Sequence, residues 1–174
     1  MSKLCDHKSV GMLVWKPLPN GSNVLLLIER KKPPFGFAPP AGHVDDDPDH
    51  MTAALRELEE EVGIRGYGLG EIWVATLKNP CRREGGTHHD WRVYQTHVED
   101  VDVKRSEDET KSYRWATSKE LESLAERTRL YLKKEISEED WQKSPGLEPV
   151  WYYLLAVQGY VNQDGDKNLP YDTP

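Results

Sequence analysis

A chain of 174 residues is sized for one domain with a core of its own. Hydrophobic residues make up 37% and charged residues 30%, with a formal net charge of −7, which excludes a surface built for nonspecific binding to nucleic acid or to an anionic membrane. No stretch approaches the ~20 apolar residues of a membrane span and the N-terminal segment lacks an apolar signal core, so a cytoplasmic protein is expected.

The first predicted element is a strand over Ser9 to Trp15, an apolar and β-prone run. Turn chemistry around Asn20-Gly21 separates it from a second strand, Asn23 to Glu29. A basic, proline-rich loop from Arg30 to Pro40 leads to a short extended segment. A helix is predicted over Asp47 to Val62, with Asp47 as N-cap and Pro48 at N1. Gly63 is expected to terminate it. Strands follow at Glu71 to Leu77, Trp91 to Val98 and Tyr113 to Ala116. Thr117 and Glu120 form a capping box that opens a helix, and Glu148 to Val161 reads as a last helix with Pro149 near its start. This order predicts an α/β sandwich with a mixed sheet, a single domain over residues 1–161 and a disordered tail over 162–174. Cys5 and Cys81 match neither a zinc spacing nor a disulfide framework, and two free thiols are expected.

The Asp47–Val62 helix carries two patterns. Met51, Ala54, Leu55, Leu58 and Val62 recur at helical spacing and predict one apolar face. Glu57, Glu60 and Glu61 sit at i, i+3 and i+4 and share another face. Alone, such a trio is the pattern of a solvated acidic face. A hard divalent cation would turn its repulsion into ligation, because Mg²⁺ takes oxygen ligands.

The flanking residues favour the metal. The segment AGHVDDDPDHMTAALRELEEEVGI resembles the Nudix box, G-x5-E-x7-R-E-U-x-E-E-x-G-U, with U a bulky apolar residue. Gly42, Arg56-Glu57-Leu58, Glu60-Glu61 and Gly63-Ile64 match it, so eight of nine defined positions agree over 23 residues. Pro48 stands where the family has its first glutamate, with Asp45, Asp46, Asp47 and Asp49 around it.

The resemblance implies an α/β/α sandwich with the box as loop–helix–loop, and Mg²⁺-dependent hydrolysis of a diphosphate linkage, with Mn²⁺ able to substitute. It implies metal ligation by Glu57, Glu60, Glu61 and the Ala41 carbonyl, with Arg56 orienting the glutamates. A catalytic base is implied either on the box helix, at Glu60, or in the later acidic loop, where Glu109 is favoured over Glu107. The expected partner is a small nucleotide; many members of the family form homodimers, and stable binding to nucleic acid or membrane is not expected.

Substrate clues are weaker. Pro80 lies 16 residues after Ile64, an offset that resembles the ADP-ribose pyrophosphatase subgroup. Arg30 ends a strand close to the box and could reach a phosphate, and Phe37 could stack on a base. His88 and His89 read as an inert turn-side pair, since Mg²⁺ prefers oxygen. Trp151, Tyr152 and Tyr153 read as packing or a dimer surface. The leading reading is a hydrolase of a nucleoside diphosphate derivative such as ADP-ribose. A nucleoside triphosphate pyrophosphohydrolase and a non-catalytic nucleotide-binding module are the alternatives.

Overall fold

The apolar run at Ser9–Trp15 becomes the centre of the sheet. In the computed structural model, which describes residues 3–163, this run lies within β1 (Lys8–Pro17). Six more strands follow: β2 (Asn23–Arg30), β3 (Phe37–Ala38), β4 (Ala41–His43), β5 (Gly70–Leu77), β6 (His89–His97) and β7 (Thr110–Ala116). The helices are α1 (His50–Val62), α2 (Ser118–Leu132), α3 (Glu138–Lys143) and α4 (Pro149–Val157). The segment expected to be a disordered tail lies, from residue 164 on, outside the described residues.

β1 runs parallel to β6 from Lys8 to Trp15 and antiparallel to β2 and β4. The sheet is therefore mixed, as expected. It is covered on both faces, which is why β1 and β2 read as near-continuous apolar runs rather than alternating ones. Val10, Met12 and Val14 of β1 and Leu26 and Ile28 of β2 pack with Ala53, Ala54, Leu58 and Val62 of α1. The intervening residues Leu13, Trp15, Leu25 and Leu27 pack on the other side with Leu121 and Ala125 of α2 and Val150 to Ala156 of α4. The twofold period of a strand thus sorts one apolar run into two cores, and the layers are α/β/α.

The sheet forks beside the site. β1 pairs with β2 only at Trp15 to Pro17. Beyond that point β4 takes the edge of β1 at Ser9 to Gly11, and β3 takes the edge of β2 at Ile28 and Glu29. A hydrogen bond from Met12 N–H to the Pro40 carbonyl, 2.9 Å, extends the β1–β4 branch by one residue.

Three local expectations change. The catalytic-segment helix starts two residues later than predicted. Asp49, not Asp47, is its N-cap and accepts from Thr52 N–H at 2.8 Å. Asp47 instead accepts from Arg56 Nε, also at 2.8 Å, and Pro48 lies before the helix. Leu55 is 42% exposed, because the buried face runs through Ala54, Leu58 and Glu61 and leaves Leu55 at its margin. The last helix ends at Val157, with Glu148 as its N-cap. Trp151, Tyr152 and Tyr153 are buried in the core, which accounts for them as packing. The capping box at Thr117 and Glu120 forms as predicted.

Gly63 ends α1 in the left-handed region, φ 71°, and its N–H bonds back to the Glu59 and Leu58 carbonyls. A Cβ there would also come within 2.9 Å of Lys104 Cβ. Gly63→Ala is expected to cost roughly 1–2 kcal/mol in a denaturant titration, from the left-handed backbone alone.

Candidate active site

The fork and the end of α1 enclose a cleft of about 280 Å³. Ser9, Ile28, Ala41 and Gly42 line it from the diverging strands. Glu57 and Glu61 enter from α1, Glu109 from the segment before β7, and Glu148 from the start of α4. Arg30, Lys32, Arg82 and Arg83 also line it, so a protein of net charge −7 gathers cations here.

Each carboxylate is positioned by its neighbours. Glu61 is buried and accepts a hydrogen bond from Ala41 N–H at 2.8 Å. Glu57 lies against Gly42 so closely that a Cβ at position 42 would fall 2.0 Å from its Oε1. The opening glycine of the motif is therefore a steric requirement of the glutamate. Arg56 does not line the cleft. It donates to Glu57 Oε1 at 2.8 Å, Glu60 Oε2 at 2.9 Å, Asp47 Oδ2 at 2.8 Å and the His43 carbonyl at 2.9 Å. One guanidinium thus ties the helix to β4 and fixes two glutamates.

The electrostatics are unfavourable without a cation. Burial pushes the Glu61 carboxyl up to about 8, and the Glu57 and Glu109 charges add to it, while the Ala41 N–H and Arg30 oppose. Burial likewise raises Glu57 to about 7; Glu60 and Glu109 add to the rise, and Arg56 opposes it. Glu148 is also raised by burial, with Arg30 pulling the other way. Arg30 Nε is buried without a hydrogen-bond partner. Crowded carboxylates of raised proton affinity beside a buried, unpartnered donor fit a site built for a metal cation and an anionic ligand.

Of the residues singled out from the sequence, Arg30, Ala41, Glu57, Glu61, Pro80 and Glu109 all line this one cleft. Glu60 lies outside the lining, with its side chain 59% exposed, on the Arg56 guanidinium. Phe37 is not at the cleft. Its pairing in β3 buries it in the core on the α4 side, under the Arg114 guanidinium at 4.4 Å from the ring centroid. Glu107 does not line the cleft either; its carbonyl accepts from Lys31 Nζ. Glu148 was missed, although a carboxylate directly before Pro149 is an N-cap pattern.

A family model described as NUDIX domain matches residues 7–146. The asymmetrical bis(5'-nucleosyl)-tetraphosphatase of Caenorhabditis elegans is 39% identical over 106 residues, which is 49% of this chain and 76% of that protein. The RNA pyrophosphohydrolase of Caulobacter vibrioides is 28% identical over 130 residues, 67% of this chain and 74% of that one. The crystal structure of a C. elegans Ap4A hydrolase binary complex superposes with a TM-score of 0.57 at 25% identity, covering 71% of this chain and 88% of that one. The chain belongs to the NUDIX domain family and is a Nudix hydrolase acting on phosphoric anhydride bonds.

The folded values of Glu57 and Glu61 lie above the ordinary 4.5, so the metal-free fold holds protons more tightly than the unfolded chain. The stability that these two groups contribute is expected to be fully present below pH 4.5 and to be lost as pH rises through about 7 and 8. Thermal melts in a chelator should show this decline. Glu61→Gln should flatten it, and added Mg²⁺ should reverse it in the wild type.

Proposed function

We propose that this protein is a cytoplasmic, Mg²⁺-dependent hydrolase that cleaves the diphosphate linkage of a small nucleotide derivative. The observation that carries this reading is the placing of Glu61, buried, and Glu57, half-buried, mutually repelling, in one cleft with Glu109 and Arg30. The donor set consists of hard oxygen atoms, which suits Mg²⁺ and admits Mn²⁺. Glu57, Glu60, Glu61 and the Ala41 carbonyl would hold the ion. When bound, it supplies positive charge against the phosphates and acidifies a neighbouring water.

The remaining roles belong to the chain's own side chains. Arg56 keeps Glu57 and Glu60 aimed, without touching substrate. Arg30, Lys32 and Arg82 offer charge to the phosphates, and Arg30 has a buried Nε to donate. Glu109, exposed and close enough to influence Glu57 and Glu61, takes the proton as water attacks phosphorus. The bridging P–O bond then breaks, and its electron pair leaves with the departing phosphate. Glu60, whose side chain is exposed, is the alternative base.

Pro80 at the cleft supports a nucleoside diphosphate joined to a second group, as in ADP-ribose. The relative named as an asymmetrical bis(5'-nucleosyl)-tetraphosphatase favours a second reading, a dinucleoside polyphosphate. A cleft of about 280 Å³ is near the small end of ligand pockets, roughly 300–1,000 Å³, so it suits one nucleotide end with the rest of the substrate outside.

Turnover of ADP-ribose, NADH, dinucleoside polyphosphates and deoxynucleoside triphosphates with Mg²⁺ tests both readings. Release of nucleoside monophosphate from ADP-ribose or a dinucleotide is expected. Glu60→Gln and Glu109→Gln are each expected to lower kcat, with the base among them losing on the order of 10²–10⁴-fold. Ligand binding without turnover of any of these would instead indicate a nucleotide-binding module. Full activity in Glu60→Gln would contradict its assignment.

A further inference from the structure

The two cysteines do not stand apart. Cys5, just before β1, and Cys81, in the loop between β5 and β6, have their sulfurs 3.7 Å from each other. His43 at the end of β4 and His89 at the start of β6 complete a group of four whose ligand atoms all lie within 4.8 Å of one another. Cys5 Sγ is 3.3 Å from His89 Nε2 and 3.8 Å from His43 Nε2. We propose that Cys5, His43, Cys81 and His89 form a tetrahedral Zn²⁺ site, separate from the glutamate cluster, that fastens the loop carrying Pro80 and Arg82 to the sheet.

The distances fit the ion. With Zn–S of about 2.3 Å and Zn–N of about 2.0–2.1 Å, a tetrahedron places sulfurs about 3.8 Å apart and sulfur and nitrogen about 3.6 Å apart. A disulfide would need about 2.05 Å between the sulfurs and would leave two imidazoles pointed at it without purpose. The donor types also fit, since thiolate and imidazole suit zinc rather than Mg²⁺.

The surroundings of the four residues are those of a ligand shell. The His89 Nδ1 lies 2.8 Å from the Asn79 carbonyl. A carbonyl only accepts, so Nδ1 carries the hydrogen and Nε2 turns its lone pair toward Cys5. Each sulfur accepts a backbone N–H from the residue two positions on, Cys5 from His7 and Cys81 from Arg83, both at 3.4 Å. Such bonds favour thiolates. A Cβ at Gly86 would fall 2.3 Å from Cys81 Sγ, so the loop closes on the sulfur only with glycine there. Two thiolates balance the charge of Zn²⁺, which leaves no net charge in a half-buried place.

Four protein ligands make a closed, structural site. It would join three stretches distant in sequence: the N-terminal segment, β4, and the loop between β5 and β6 together with the start of β6. Three of its members, His43, Cys81 and His89, also line the catalytic cleft, so the metal would hold that wall in shape.

The test uses the full chain, produced with zinc and purified without chelator. About one zinc per chain is expected by elemental analysis. Replacement with Co²⁺ should give strong visible d–d bands and a thiolate-to-cobalt charge-transfer band. Cys81→Ser and, as a second variant, His43→Gln should each lose the zinc and the charge-transfer band. Glu61→Gln should keep both, which separates this site from the glutamates. Removal of zinc from the wild type should lower its melting temperature. Absence of zinc from the wild type, absence of the charge-transfer band, or a Cys5–Cys81 disulfide in the purified chain would each overturn the proposal.

Discussion

The structure turns on one constraint: α1 must bury carboxylates along with its apolar side chains. Ala54, Leu58 and Val62 enter the core beside β1, and the same helix also takes Glu61 and most of Glu57 out of water. Removing a carboxylate from water costs several kcal/mol unless it is paired. Glu57 has the Arg56 guanidinium; Glu61 has a single N–H from Ala41. The apolar face of α1 offsets this cost, and on the proposed function the remainder is left as affinity for a cation. Stability is given up where function needs it, and the core on both sides of the sheet supplies the difference.

The fork in the sheet is the second half of the arrangement. Had β2 paired with β1 along its whole length, the edges of Ser9 to Gly11 and of Ile28 would be closed. Instead β4 and β3 fill the fork with two short strands and leave a cleft between them. β4 then presents the Ala41 N–H to Glu61, leaves room at Gly42 for Glu57, and gives the His43 carbonyl to Arg56. Three consecutive residues thus serve three different parts of the site. That is why the motif joins an opening glycine to glutamates on a helix: Gly42 lies against Glu57, and Ala41 beside it donates to Glu61.

Much of this was legible in the sequence where the signal is local or periodic. The face of Glu57, Glu60 and Glu61 follows from helical spacing, and the glycine end of α1 and the Thr117 capping box follow from backbone chemistry. The helix start was misread because Asp47 and Asp49 are equally good caps. Arg56 decides between them by taking the Asp47 carboxylate. Phe37 looked like a stacking residue because a Phe-Gly-Phe segment carries no sign of which ring enters the core; pairing with β2 settles that. The short helix α3 gave no periodic signal at six residues. The cluster of Cys5, His43, Cys81 and His89 was illegible for a further reason. Zinc spacings read ligands along one segment, and these four come together only through the pairing of β1 with both β4 and β6 and the bridge of Leu4 to Glu84.

The central claim is that buried carboxylates on α1 exist to hold a hard cation. Titration of Mg²⁺ into the zinc-replete, nucleotide-free protein by calorimetry measures this directly. The wild type should bind Mg²⁺ with release of protons, because Glu57 and Glu61 hold them in its absence. Glu57→Gln and Glu61→Gln, each still folded, should lose that binding. Mg²⁺ binding of unchanged strength in both variants would contradict the account.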